Sequence, residues 1–472
     1  AAARPLFSMA ESSAGRSVPS SPRPPQEQEK SLLGDDLLRG WRLACLTRVA
    51  GDAEVTLHQT AQLREICADG ELPPFVRQTL FARYGAAVDI GTTTLAAQLY
   101  DHDGRRLAQA VAANPQAVFG ADVISRIEKS LAGEREALMR CIRRGIDGLL
   151  AELSASAGVS PSDIDAVVVT GNTTMLYLLT GRSVDCLARA PFAADELFGR
   201  WAQAGEVELA SVPSARVYLP RCMSAFVGAD ITTALLCSGL CERPNSALLA
   251  DIGTNGELAL WHGGRLRCCS TAAGPVFEGA GISCGMQGVA GAVSHVLWEN
   301  GAVRCRTIGG GEPRGICGSG IIDAAAVFCG QGIIDETGAF TGGRTDYALA
   351  TGVTVTQKDI RMLQLGKSAV CAGIRTLLEA AGLTPEALTE LSVAGGFGTY
   401  LDIRNAAAIG LYPAELEGKT RVLGNAALAG AAMLLLAEPY VQKSCALAQQ
   451  AETVDLSTSA VFMAHYVDCM EF

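Results

Sequence analysis

Asp89 and Asp251 each close a short apolar run and are each followed by Ile-Gly-Thr: residues 86–101 read AAVDIGTTTLAAQLYD and residues 248–261 read LLADIGTNGELALW. A glycine there lets the backbone bend tightly, so that successive N–H groups form an anion-holding concavity. Thr92, Thr93 and Thr94 beside Gly91 add hydroxyl donors for phosphate oxygens, and Gly253, Thr254 and Asn255 repeat the arrangement. A carboxylate does not favour bare phosphate. It belongs beside Mg2+, through the metal's water, or against an attacking water. Asp89 and Asp251 are therefore the candidate catalytic and magnesium-side groups. Two facing copies would clamp a polyphosphate, and phosphoryl transfer needs chiefly such positioning and charge neutralisation. One such turn is equally a hairpin, since Asp, Gly and Thr are turn residues; two copies in matching surroundings favour the phosphate reading.

A third turn, VAGGFGTY at residues 393–400, lies between a strand-like and a helix-like segment. Gly395 and Gly396 lack a Cβ, so a flat adenine can lie against the backbone, with Phe397 in the same turn. A helix N-terminus beside it favours phosphate. Residues 274–288, GPVFEGAGISCGMQG, form a Gly-rich loop after the second turn, and GGGEPRGICGSGIIDAAAVF at 309–328 opens an apolar helix. Ser283 and Cys284 are expected at the rim of the cleft, facing a partner.

The elements that must carry these groups alternate strand-like and helix-like, the α/β pattern. Strands are expected at 86–90, 95–100 and 107–112, and again at 248–252, 257–261 and 266–270, so each aspartate ends the first strand of a three-stranded meander. DAVVVTGNTT (165–174) and ELSVAGGFGT (390–399) form a second matched pair, each a strand running into a Gly-containing turn. The chain reads as duplicated, with a larger insertion in its second half. The expected division is a disordered tail at 1–30, a small segment at 31–59, a connector at 60–84, and halves at 85–245 and 246–472.

The 472 residues are 49% hydrophobic, enough for large cores, and the net charge of −11 argues against a nucleic-acid groove or a polybasic membrane patch. No apolar run reaches the roughly 18 residues of a membrane span, and the first residues lack the order of a signal peptide. A cytoplasmic protein without nucleic-acid or membrane partners is expected. The 16 cysteines contain no Cys-x-x-Cys pair and read as reduced, mostly buried small hydrophobes.

The three turns in this order resemble the acetate and sugar kinase/Hsp70/actin superfamily, whose members bind ATP between two ribonuclease-H-like halves. The resemblance implies two facing domains with the ATP cleft between them, and one phosphate turn from each. A closer resemblance runs over residues 85–472. GNTTMLYLLTG, FVGADITTALL, GPVFEGAGISCGM, GICGSGIIDA, VTQKDIRMLQLGKSAVCAGI, AGGFGTYLDIRNAAAIGLYP and GNAALAGA are similar to the reductive activators of corrinoid proteins. Those ATPases return cob(II)alamin to cob(I)alamin in methyltransferase systems. The resemblance implies ATP and Mg2+ as ligands, a corrinoid protein as partner and a homodimer. An external or separate electron donor is expected only where the chain departs from the family, in its N-terminal part, with a truncated chain or a gene-model fragment as the alternatives.

Such activators usually begin with a plant-type 2Fe–2S ferredoxin domain, and LLRGWRLACLTRVAGDAEVTL resembles its last segment, with Cys45 where the fourth ligand would be. The closely spaced C-x4-C-x2-C run is absent upstream, and Cys67 is the only other cysteine before residue 85, so the chain as given is expected to hold no such cluster. A middle domain of longer members finds no room between residues 60 and 84, and Tyr177 stands where the family often has histidine. Rival readings are an activator of a 2-hydroxyacyl-CoA dehydratase, a small-molecule kinase, and a non-catalytic ATP-gated binding protein.

Overall fold

The computed structural model describes residues 70, 72–203, 205–396 and 400–472, and the backbone of three short strands before them. Those strands, β1 (Leu6–Met9), β2 (Trp41–Leu43) and β3 (Val55–Leu57), form an antiparallel sheet in the order β2-β1-β3. β1 falls within the stretch whose composition predicts no regular structure. Cys45 and Cys67 lie outside the described residues.

The first half is built on β4 (Tyr84–Ile90), β5 (Thr94–Asp101), β6 (Arg106–Ala113), β7 (Ile164–Gly171), β8 (Arg200–Trp201) and β9 (Arg216–Leu219), in the order β6-β5-β4-β7-β9-β8. The second is built on β10 (Ala247–Ile252), β11 (Gly256–His262), β12 (Arg265–Thr271), β18 (Glu390–Ala394), β19 (Thr420–Gly424) and β20 (Glu452–Thr453), in the order β19-β18-β10-β11-β12-β20. In both, an antiparallel meander is extended by two strands parallel to its first: β7 and β9 beside β4, β18 and β19 beside β10. The duplication read from the sequence is thus a duplication of topology. Its second copy holds the larger insertion, with β13 (Ala292–Glu299), β14 (Ala302–Thr307) and β15 (Gly315–Ile316) in one sheet and β16 (Asp346–Ala350) with β17 (Val353–Thr356) in a hairpin.

Four helices decide what each sheet faces. α1 (Arg135–Ala157) turns Leu138, Ile142, Ile146, Leu149 and Leu153 onto one stripe, the 3.6-residue period of a core-facing helix. That stripe packs with Ala86, Val88 and Ile90 of β4. α3 (Gln357–Ala380) lies in the second half's own core with Leu248, Ala250 and Ile252 of β10. The alternate residues, Ala87 of β4 and Ala247 and Leu249 of β10, enter a third core shared by both halves. This core also takes α2 (Ala229–Ser238) and α4 (Ala426–Leu436). Successive strand side chains point to opposite faces. Asp89 therefore shares the face of Ala87, and Asp251 that of Leu249, so both carboxylates point to the shared layer.

α2 and α4 approach closely. A Cβ on Gly430 of α4 would stand 1.8 Å from the Thr233 carbonyl oxygen of α2. β12 sends one cysteine each way: Cys268 enters the shared core and Cys269 the second half's own core. The end of the expected connector is tied to α4, with the N–H groups of Gln78 and Leu80 donating to the carbonyls of Leu436 and Leu435. Among the described residues no helix is long and apolar enough to cross a membrane.

Candidate functional site

Each phosphate turn is closed by its glycine N–H, and the second turn is one residue tighter than the first. The Gly91 N–H donates to the Thr94 carbonyl and the Gly253 N–H to the Asn255 carbonyl, both at 2.9 Å. The chain just past each meander then pins its turn, through Asn114 N to Thr93 O at 2.8 Å and Gly274 N to Thr254 O at 2.9 Å. The third turn obeys the same symmetry. A Cβ on Gly171, the last residue of β7, would be 2.8 Å from the Ile90 carbonyl, and one on Gly395, just after β18, would be 2.3 Å from the Ile252 carbonyl. Gly395 also has φ 116°, a conformation side chains rarely adopt.

One cavity between the halves brings these parts together. Asp89, Gly91, Thr92, Thr93 and Thr94 line it from the first half, and Asp251, Gly253, Thr254, Asn255, Gly395 and Gly396 from the second. Phe397 lies outside the described residues. Ser283 and Cys284 are placed elsewhere. The Ser283 N–H and Oγ meet Asp359 Oδ1 at 2.7 and 3.0 Å, and Cys284 Sγ accepts the Thr354 N–H at 3.4 Å. It is the far end of their loop, Gln287 and Gly288, that reaches the cavity wall.

Sequence reasoning missed three more carboxylates here, Asp230, Glu257 and Glu278. Asp230 sits in the first turn of α2. Glu257 stands directly across the hairpin from Asp251; that register was the available signal. Glu278 Oε2 accepts the hydroxyls of Thr93 and, at 3.0 Å, Thr254, one from each half. Asn425 was missed too. Its Oδ1 caps α4 through the Leu428 N–H at 2.8 Å, and its Nδ2 donates to Asp89 Oδ2 at 3.0 Å across the halves. Arg126, with no exposed surface, holds the first turn from behind through Nη2 to the Thr92 carbonyl at 2.6 Å.

Burial dominates the electrostatics and crowding adds to it. Burial pushes Asp89 up to about 6, relieved by the Asn425 bond. Burial and the neighbouring Asp89 push Asp251 up to about 7. Burial, then Asp251 and Asp89, push Asp230 up to about 8. Glu257 is driven well above the usual range by burial, Asp230 and Asp251. Such mutual repulsion suits a divalent cation's charge. Among the described residues no group of three or more His, Cys, Asp or Glu could hold one metal ion. The fourteen described cysteines are all free and offer no four-thiolate set, so a 2Fe–2S cluster does not fit these residues.

A pH dependence follows. The unfolded aspartates titrate near 3.8, the folded ones near 6, 7 and 8. Their contribution to stability is full below the unfolded value and is lost as pH rises through the folded ones. Protein stripped of nucleotide and metal is expected to melt lower at pH 8 than its Asp230→Asn variant, with the gap much smaller at pH 5. Equal melting temperatures at pH 8 would refute this.

The chain is similar to known proteins over most of its length. Residues 245–472 match the family described as the C-terminal domain of RACo, the ASKHA domain, and residues 84–243 match the RACo middle region. The segment so described is therefore the first half itself, not the stretch between 60 and 84 where a middle domain was sought. The chain is 35% identical to the corrinoid activation enzyme RamQ of Eubacterium limosum, over 81% of this chain and 69% of that one. It is 26% identical to the Co(II) methylated amine-specific corrinoid protein reductase of Methanosarcina barkeri, over 81% and 76%. The solved structure of a reductive activator for corrinoid, iron-sulfur protein superposes with a TM-score of 0.76 at 28% identity, covering 99% of this chain and 91% of that one.

Proposed function

The chain belongs to the RACo family, the reductive activators of corrinoid proteins, and from that premise we propose that it uses ATP to return a partner's cob(II)alamin to cob(I)alamin. The observation that carries this reading is the meeting of twin phosphate turns and buried carboxylates in one cavity, in a chain whose relatives are named for corrinoid activation. The turn N–H groups with Thr92, Thr93, Thr94, Thr254 and Asn255 hold the phosphates. Gly395 and Gly396 lie against the adenine. Asp89 and Asp251 would face magnesium through its waters when the metal is bound, and they orient the water that attacks the terminal phosphate. Hydrolysis supplies free energy and no electron. The electron comes from an external or separate low-potential donor. One electron added to cob(II) gives cob(I), and this chain's own contribution is to bind the corrinoid protein and change the cobalt's ligation or exposure. A homodimer is the proposed assembly.

The test mixes candidate cob(II) proteins with this chain, ATP, Mg2+ and a low-potential chemical donor. Cob(I) absorbance is expected to require ATP. The right partner is expected to change turnover about 5- to 150-fold, the range of a 1–3 kcal/mol coupling. If no corrinoid protein is reduced or alters ATP hydrolysis, the reading is wrong, and transfer of phosphate to a small metabolite becomes the next assay.

A further inference from the structure

Glu278 ties the two phosphate turns together through a single oxygen. Its Oε2 accepts the Thr93 hydroxyl from the first half and the Thr254 hydroxyl from the second. These are hydroxyls that the turns offer to a phosphate. Carboxylate and phosphate oxygens compete for the same donors, and two like charges in a buried site repel strongly.

We propose that Glu278 is an internal phosphate mimic: it links Thr93 to Thr254 and is displaced when the nucleotide's phosphates take those hydroxyls, carrying the loop of residues 279–288 with it. The inference rests on the ATP-binding reading above. The loop follows because it is joined directly to Glu278 and is stiff. A Cβ on Gly279 would lie 2.0 Å from the Met286 carbonyl, and one on Gly285 would lie 2.1 Å from the Gly279 carbonyl. Two main-chain bonds fasten its closing arm, Met286 N to Ile316 O at 2.9 Å and Ile316 N to Cys284 O at 2.8 Å. Its tip ends on the start of α3, where Ser283 shares Asp359 with the Thr356 cap. A shift of Glu278 is therefore delivered about as far as Cys284 and Asp359, and the Cys284 thiol reports it.

The experiment compares the wild-type chain with Glu278→Gln, which keeps the shape and removes the charge. Binding of a non-hydrolysable ATP analogue is measured by calorimetry, with and without Mg2+. Alkylation of Cys284 is followed by peptide mass spectrometry. The variant is expected to bind the analogue about ten-fold tighter with or without Mg2+, a size within the usual range of site coupling. A gain of affinity cannot come from a damaged fold. In the wild type the analogue is expected to change the Cys284 rate several-fold; in the variant the rate no longer responds. Unchanged or weaker binding by Glu278→Gln overturns the proposal, and weakening seen only with Mg2+ makes Glu278 a magnesium-side group instead. A Cys284 rate that ignores nucleotide in the wild type also overturns it. A wild-type chain that binds no analogue refutes the ATP reading itself, which is a separate failure.

Discussion

Replacing Asp89 or Asp251 by asparagine is expected to lower ATP hydrolysis ten-fold or more, roughly 1.4 kcal/mol of lost transition-state stabilisation for each factor of ten. The same substitutions are expected to raise the melting temperature at pH 8. The two effects have opposite signs for one reason. Each carboxylate is buried and pushed up to about 6 or 7. At pH 8 it is held charged against its surroundings, and its removal relieves the fold. What is lost is the charge that faces magnesium's waters and the attacking water. Asn425 already donates to Asp89 Oδ2, and an asparagine oxygen accepts the same bond, so the cross-half contact survives. A steady-state phosphate-release assay beside a thermal melt decides it. Turnover unchanged in both variants would remove these residues from the chemistry.

The second large effect is expected at Gly430. Its Cβ would meet the Thr233 carbonyl at 1.8 Å, backbone against backbone, so α2 and α4 must separate to admit even a methyl group. Overpacking a tight core costs about 1–3 kcal/mol, and Gly430→Val is expected to cost more than Gly430→Ala. Turnover falls as well, because these helices carry Asp230 and Asn425 into the cavity at their first residues. Gly148 is the control. It lies inside α1 with nothing within 4 Å of an added Cβ, and Gly148→Ala is expected to be neutral or mildly stabilising, by about 0.4–1 kcal/mol. Melting temperatures of the variants check both. A Gly430→Ala protein as stable and active as wild type would mean that the helices have slack here.

The parts of the site legible in the sequence are those fixed by local chemistry. The Asp-Ile-Gly-Thr turns, their meanders and the Gly395 turn follow from residue types within a few positions, and strand alternation sends both aspartates to one layer. Asp230 and Asn425 were not legible, though both stretches, GADITTALL and GNAALAGA, are distinctive. Each matters only because two buried helices cross and aim their first turns at one point, and no short window contains that crossing. Glu278 was hidden for the same reason, since its partners Thr93 and Thr254 belong to different halves. The rim position expected for Ser283 and Cys284 rests on a glycine-rich loop that directly follows the second meander. Glycines identify a loop, and packing against Asp359 and Thr354 decides where its tip lies.

Cys268 and Cys269 are neighbours on β12, yet they sit in different cores. Burial drives both thiols far above their ordinary range, and a thiol reacts with an alkylating agent through its thiolate. Each therefore stays silent until its own core opens. Parting of the two halves exposes Cys268 first, whereas melting of the second half alone exposes Cys269. Labelling kinetics at this one dipeptide thus act as a two-channel stopwatch built into the native sequence. It can distinguish a molecule that is opening from one that is coming apart, with no dye or engineered probe.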